Sequence, residues 1–137
     1  MIRQAKKEDS QAIYDLIHSV KLDSSLFLKA KDVESIERRI EHSFIFECNK
    51  TIAGVILIDY KHFNGSKNKI YTIDSIVSKQ KGIAGQLLSN IPNRKYYCTI
   101  APNNSKSLAL FKKHGFNKID NITFMGYQRE VYCNGCM

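Results

Sequence analysis

The chain has 137 residues with 43% hydrophobic and 25% charged side chains, enough for one domain with a real core and too apolar for a disordered segment. Its net charge is +8, and residues 61–118 hold eleven Lys or Arg against one acid, Asp74, so that segment carries +10 and the remainder −2. A field this one-sided draws anions, whether a phosphorylated cofactor, nucleic acid or an anionic surface. No apolar run reaches the length of a membrane span and the first residues lack the apolar core of a signal peptide, so a cytoplasmic protein with no membrane partner is expected.

Residues 2–5 read as a first strand. Glu8, Asp9 and Ser10 open a helix whose stripe of Ile13, Leu16, Ile17 and Val20 has helical spacing. Asp23, Ser24 and Ser25 break it, and a second helix from about Asp32 is expected to bury Val33, Ile36 and Ile40 while Glu34, Glu37, Arg38, Arg39 and Glu41 face water. Leu26 and Phe27, between the helices, suit either a substrate-facing loop or packing. Residues 44–48 and 52–60 are strand runs joined by the hairpin-length link Asn49, Lys50 and Thr51. A strong turn signal over 64–68 leads into a strand over 70–77, which makes strands two, three and four antiparallel neighbours.

After that strand the apolar period changes across residues 78–81, and Ile83, Leu87 and Ile91 recur every four residues as a helix. Gly82 and Gly85 let the backbone approach a ligand, and the unpaired N–H groups of the helix start can hold a phosphate. The same residues would also serve an ordinary strand-to-helix junction, since P-loop and dinucleotide fingerprints are both absent. Pro92 closes the helix, residues 96–100 form a strand, and Asn104 opens a helix carrying Leu108 and Phe111 that Gly115 ends in the left-handed conformation. Residues 116–130 read as a closing hairpin turning near Asp120 and Asn121. No linker divides the chain, which is read as one domain over 1–137.

The four His, at 18, 42, 62 and 114, stand at no metal-ligand spacing, and His114 suits a cation at a helix C-terminus, so no metal is expected. Cys48 and Cys98 sit in apolar strand runs as small hydrophobes, while Cys133 and Cys136 make a tail CxxC with no further ligands.

The element order βααβββαβαββ, with a Gly-containing basic turn after the fourth strand, resembles the GCN5-related N-acetyltransferase (GNAT) family over nearly the whole chain. The family's loop, Arg/Gln-x-x-Gly-x-Gly/Ala, matches Lys79, Gln80, Lys81, Gly82, Ile83 and Ala84. Its later helix, Asn-x-x-Ala-x-x-Leu-Tyr-x-x-x-Gly-Phe, matches the run from Asn104 through Ser107, Leu110 and Phe111 to Gly115 and Phe116. The resemblance implies an α/β (α+β) single-domain fold, a mixed, mostly antiparallel sheet flanked by helices and splayed between strands four and five.

It also implies an N-acyltransferase that moves an acetyl group from acetyl-CoA to a primary amine by direct attack in a ternary complex. On that pattern the N–H groups of residues 79–85, Gly85 included, would hold the cofactor pyrophosphate, and the backbone of Ile76 and Val77 would pair with pantetheine. Asn104 would contact the thiol end, and Phe111 takes the family's Tyr position in the helix that forms the other wall. Three departures stand out. Only residues 78–81 separate Val77 from Gly82; Lys79 replaces Arg or Gln; and Phe111 cannot protonate a departing thiolate.

An attacking amine must lose its proton, and Asp74, three residues before Val77, is the expected base; capping a turn or pairing with a lysine are its structural alternatives. Tyr96, Tyr97, Tyr127 or Ser107 could supply an acid, and spacing selects none of them. The acceptor stays open among a small amine, a peptide amine, and nucleic acid or an aminoacyl-tRNA. A catalytically silent module that binds coenzyme A or nucleic acid is the alternative function, and both monomer and homodimer are compatible with the chain.

Overall fold

The apolar run over residues 52–58 becomes the spine of the sheet. A computed structural model describes residues 1–20, 32–63, 65, 67–124 and 126–135. In it the strands β1 (Ile2–Gln4), β2 (Phe44–Cys48), β3 (Thr51–His62), β4 (Lys69–Ser78), β5 (Tyr96–Ile100), β6 (Phe116–Phe124) and β7 (Tyr127–Asn134) form one sheet in the order β1-β2-β3-β4-β5-β7-β6. Every pairing is antiparallel except β4 with β5. The helices are α1 (Ser10–Ser19), α2 (Val33–Glu37), α3 (Ile83–Asn90) and α4 (Ser105–Lys113).

Strand alternation sends side chains to two cores. On one face α1 and α2 bury Ile13, Ile17 and Ile36 against Val55, Leu57 and Val77; on the other, α3 and α4 bury Leu87 and Phe111 against Ile56, Ile58, Ile73 and Tyr132. Helix α3 can lie directly on β3 because residue 54 is glycine: a Cβ there would stand 2.5 Å from Ile83 Cγ2. Gly115 takes a φ of 85° just after α4, the left-handed stop the sequence pattern implies.

Two features of β4 position the site. Leu57 faces Ser75 while the next residue, Ile58, faces Ile73, so Asp74 is the extra residue of a β-bulge. The bulge re-phases the strand: Val77, Ser75, Asp74 and Thr72 share the α1/α2 face, and Ile76 and Ile73 take the other. Secondly, β4 and β5 are in register only at Tyr71 with Tyr96 and Thr72 with Tyr97. Beyond those pairs the strands part, β4 running on to Ser78 and β5 to Ile100. The splay between strands four and five is therefore present.

Some expectations are corrected. Arg39 does not face water: α2 stops at Glu37, and a turn with a short 3-10 segment, Ile40–His42, swings its side chain in over the sheet. Val33 and Ile40 are only partly buried, and Cys48 is exposed at the end of β2. Asp120 and Asn121 lie inside β6 beside a register shift, while the closing turn uses Gly126 at a φ of 83°. Residues 21–31, with Asp23, Leu26 and Phe27, lie outside the described residues, as does Cys136.

Candidate functional site

Helix α3 starts from Gly82, whose φ of 90° is left-handed and easy only for glycine, and whose missing Cβ would meet nothing within 4 Å. The first intrahelical bond is donated by Gln86 to the Gly82 carbonyl, so the N–H groups of Ile83, Ala84 and Gly85 precede the ladder. Lys79, Gln80 and Lys81 are exposed around this turn, but the Lys79 N–H is spent on the Ala53 carbonyl at 3.0 Å. Its ammonium, not its amide, is what Lys79 can offer an anion.

The parallel pair puts a second helix start at the same end of the sheet, because α3 follows β4 and α4 follows β5. Asn104 caps α4, its Oδ1 accepting the Ser107 N–H at 3.2 Å. The two helices are tied by His114, which bonds the Leu110 carbonyl at 2.8 Å and Ser89 Oγ at 3.1 Å. A Cβ on Gly85 would make only ordinary contact with His114 and Leu110. The side chains of Ile76 and Val77 point into the two cores, so these residues offer the opening only their backbone, along a β4 edge with no strand partner past Thr72. Phe111 is buried edge-to-face on Phe116 at 5.0 Å, a core ring rather than a loop residue.

On the α1/α2 face the bulge aims Asp74 into a cluster of charges. Asp74 Oδ2 accepts Arg39 Nε at 2.6 Å and Lys61 Nζ at 3.2 Å, and Oδ1 accepts Thr72 Oγ1 at 2.8 Å and Lys61 Nζ at 3.2 Å. Asp59 lies 3.7 Å from Arg39 Nε and 3.9 Å from Lys61 Nζ, completing two acids against two bases. Arg39 is held from behind, its Nη1 donating to the Ser35 carbonyl at 2.8 Å. The lysine-pairing alternative for Asp74 is thus present, with an arginine added. The signal for this cluster was in β3, where the face of Val55 and Leu57 turns charged at Asp59 and Lys61.

Across the opening, β5 presents Tyr97 and Thr99 on the same face, and β7 presents Arg129, whose Nε bonds Thr99 Oγ1 at 3.0 Å. Of the candidate acids, Tyr96 is buried on the α3/α4 side and donates to the Pro92 carbonyl at 2.9 Å; burial raises its phenol above the ordinary range. Tyr127 is exposed at the last hairpin. On the α3/α4 side of β7, Lys118 at 3.0 Å and then Tyr132 hold the Glu130 carboxyl below its usual range, while burial pushes the Tyr132 phenol up. Among the described residues no group of three or more His, Cys, Asp or Glu could hold a metal ion, and no helix is long and apolar enough to cross a membrane.

No family model and no curated protein matches the sequence. The fold, by contrast, has many solved counterparts. A ribosomal-protein-alanine N-acetyltransferase from Brucella melitensis superposes with a TM-score of 0.76 at 16% identity, covering 98% of each chain. An N-acetyltransferase from Staphylococcus aureus Mu50 gives 0.67 at 20% identity, over 97% of this chain and 99% of the other. An acetyltransferase of the GNAT family from Streptococcus pneumoniae gives 0.70 at 19%, over 98% and 97%. With its parted parallel pair and glycine-capped third helix, the chain has the fold of the GNAT-family N-acetyltransferases.

Proposed function

We propose that the chain is an N-acyltransferase that uses acetyl-CoA and delivers the acyl group directly to a primary amine in a ternary complex. The observation that carries this reading is the parting of β4 from β5 beside the glycine-capped start of α3. The residues fit a coenzyme A pyrophosphate: the space at Gly82 is open, the N–H groups of Ile83, Ala84 and Gly85 precede the helical ladder, and Lys79 and Lys81 stand exposed beside them. The free edge of β4 at Ile76 and Val77 suits an extended amide arm, and Asn104 keeps its side-chain N–H donors beyond its cap. When bound, acetyl-CoA supplies the thioester whose C–S bond breaks as the C–N bond to the amine forms.

Asp74 is the proposed base. Its carboxylate is fully occupied, but the Lys61 side chain is 39% exposed while that of Arg39 is 15% exposed, so Lys61 is the partner that can leave. An incoming ammonium takes the place of the Lys61 ammonium, cation for cation, gives its proton to the carboxylate and then attacks as the free amine. The second proton, lost from nitrogen once the C–N bond has formed, neutralises the departing coenzyme A thiolate by way of solvent. Arg39 holds the carboxylate in place throughout.

Titration of the full chain with coenzyme A by calorimetry tests the reading, followed by thiol release from acetyl-CoA over a panel of amines. Saturable binding with turnover is expected; absence of binding rejects the proposal. Binding without turnover on any amine favours a silent module, the reading that Phe111 in place of a proton-donating tyrosine supports.

A further inference from the structure

On the β5 side of the opening lies a cation with no counter-charge among the described residues. Arg129 is 7% exposed, and its Nε and Nη2 donate only to Thr99, at 3.0 Å to Oγ1 and 2.9 Å to the carbonyl. Among the described residues no carboxylate pairs with it, whereas Arg3 and Arg39 each hold acids. Hydrogen bonds to neutral oxygens restore little of the hydration that a buried guanidinium loses. Burial accordingly lowers its proton affinity, and the nearby Cys98 offers no anion because burial pushes its thiol well up. Nη1 has no partner, yet Ser10 Oγ is the only unpartnered side-chain atom sealed from solvent among the described residues, so Nη1 still reaches solvent.

The register locates this cation. Thr72 is level with Tyr97, so two residues on, Asp74 and Thr99 stand across the parted strands on the same face. Arg129, bonded to Thr99, therefore occupies the bank opposite the Asp74 cluster. It is about four residues, roughly 13 Å, short of the end of β4 where the phosphate turn begins. An acid on one bank and an unbalanced guanidinium on the other match a molecule with an ammonium and a carboxylate close together. The guanidinium fork also matches the planar pair of carboxylate oxygens.

We propose that Arg129 determines acceptor specificity by receiving a carboxylate on the amine substrate, so that the preferred acceptor is an amino acid or a similar small amine bearing a carboxylate. This rests on the acyltransferase reading above. The test compares acceptors that differ only in that charge, such as alanine with alaninamide and glycylglycine with its amide, corrected for amine protonation. Turnover with saturating acetyl-CoA and calorimetric binding to the coenzyme A-loaded chain are measured for wild type, Arg129→Gln and Arg129→Lys. Wild type should favour the acids by roughly 10- to 100-fold, the worth of a hydrogen bond to a charged group. The preference should vanish in Arg129→Gln and persist in part in Arg129→Lys, with coenzyme A affinity unchanged. Equal use of acids and amides by wild type overturns the inference, and that comparison needs no variant to fold. Persistence of the preference in a folded Arg129→Gln overturns it as well. Failure to bind coenzyme A at all overturns the acyltransferase reading, and this inference with it.

Discussion

Asp74 shows how one inserted residue changes what a strand can do. Strict alternation cannot put Asp74 and Ser75 on one face; with the bulge both share the α1/α2 face, so the carboxylate meets Arg39 and Lys61 while Ser75 stays opposite Leu57. The alternation of residues 70–77 contains no Gly or Pro to mark the bulge, so the acid was legible as a candidate while its partners were not. Helical phase carried past Glu37 puts Arg39 in water, but the helix gives way there to a turn that brings it over the sheet. If Asp74 is the base, Asp74→Asn should lower kcat/KM by 10²-fold or more at neutral pH, and the deficit should shrink as pH approaches the amine pKa, where the acceptor arrives deprotonated. A pH–rate profile of wild type and variant measures this; an equal deficit at every pH would assign Asp74 to holding Arg39 and Lys61 alone.

The third helix joins a proposed binding end to a structural middle, and two glycines separate the roles. At Gly82 a side chain meets no protein atom but must adopt a φ of 90°, a strain of about 1–2 kcal/mol for an L-residue. On the acyltransferase reading, Gly82→Val should therefore cost modest stability and most of the coenzyme A affinity, since the branched side chain would fill the turn proposed for the pyrophosphate. At Gly54 the conflict is with Ile83 at 2.5 Å and Leu87 at 3.3 Å, so Gly54→Ala should cost about 1–3 kcal/mol by overpacking, with a smaller effect on affinity. Calorimetric titration beside thermal melts tests the pair, and the opposite pattern would mean that α3, not its turn, contacts the cofactor. The element order and this turn were legible because period 2 gives way to period 3.6 at a glycine. Where no such punctuation marks the change, as at the shift between Lys118 and Asp120 in β6, pattern alone puts the hairpin tip at Asp120 and Asn121, ahead of the actual turn at Gly126.

At the scale of the whole molecule the charges divide by face, and that division predicts responses to pH and salt. Near β1, Arg3 holds Asp9 through bonds of 2.9 and 3.0 Å and keeps its carboxyl below the ordinary range. Its pKa is lowered on folding, so the stabilisation is complete above the unfolded value near pH 4 and is lost as pH falls through the folded value. Asp9→Asn should thus be less stable than wild type in urea at pH 7, and the gap should close toward pH 2; a gap independent of pH would refute the pairing as its cause. Among the exposed lysines of the basic segment, Lys79 and Lys81 stand at the α3 turn, and Lys106, Lys112 and Lys113 lie on α4. Lys67 lies just before β4, Lys69 at its start and Lys95 just before β5, while Lys118 is already paired with Glu130 at 3.0 Å. On the α1/α2 face, Arg39 and Lys61 are balanced by Asp59 and Asp74, which leaves Arg129, among the described residues, as the unmatched charge at the opening. A nucleic-acid acceptor engaging the α4 lysines would lose affinity by about one unit of logarithmic salt slope per phosphate contact, and Lys112→Gln with Lys113→Gln would flatten that slope. A small carboxylate-bearing amine held by Arg129 should instead show a shallow salt dependence that those two substitutions leave untouched. If coenzyme A binds beside Lys79 and Lys81 as proposed, most of the salt sensitivity should lie in its own affinity. Affinities of acceptor and coenzyme A between 50 and 500 mM salt decide between these cases, and a steep acceptor slope removed by the α4 substitutions would replace the small amine with a polyanion.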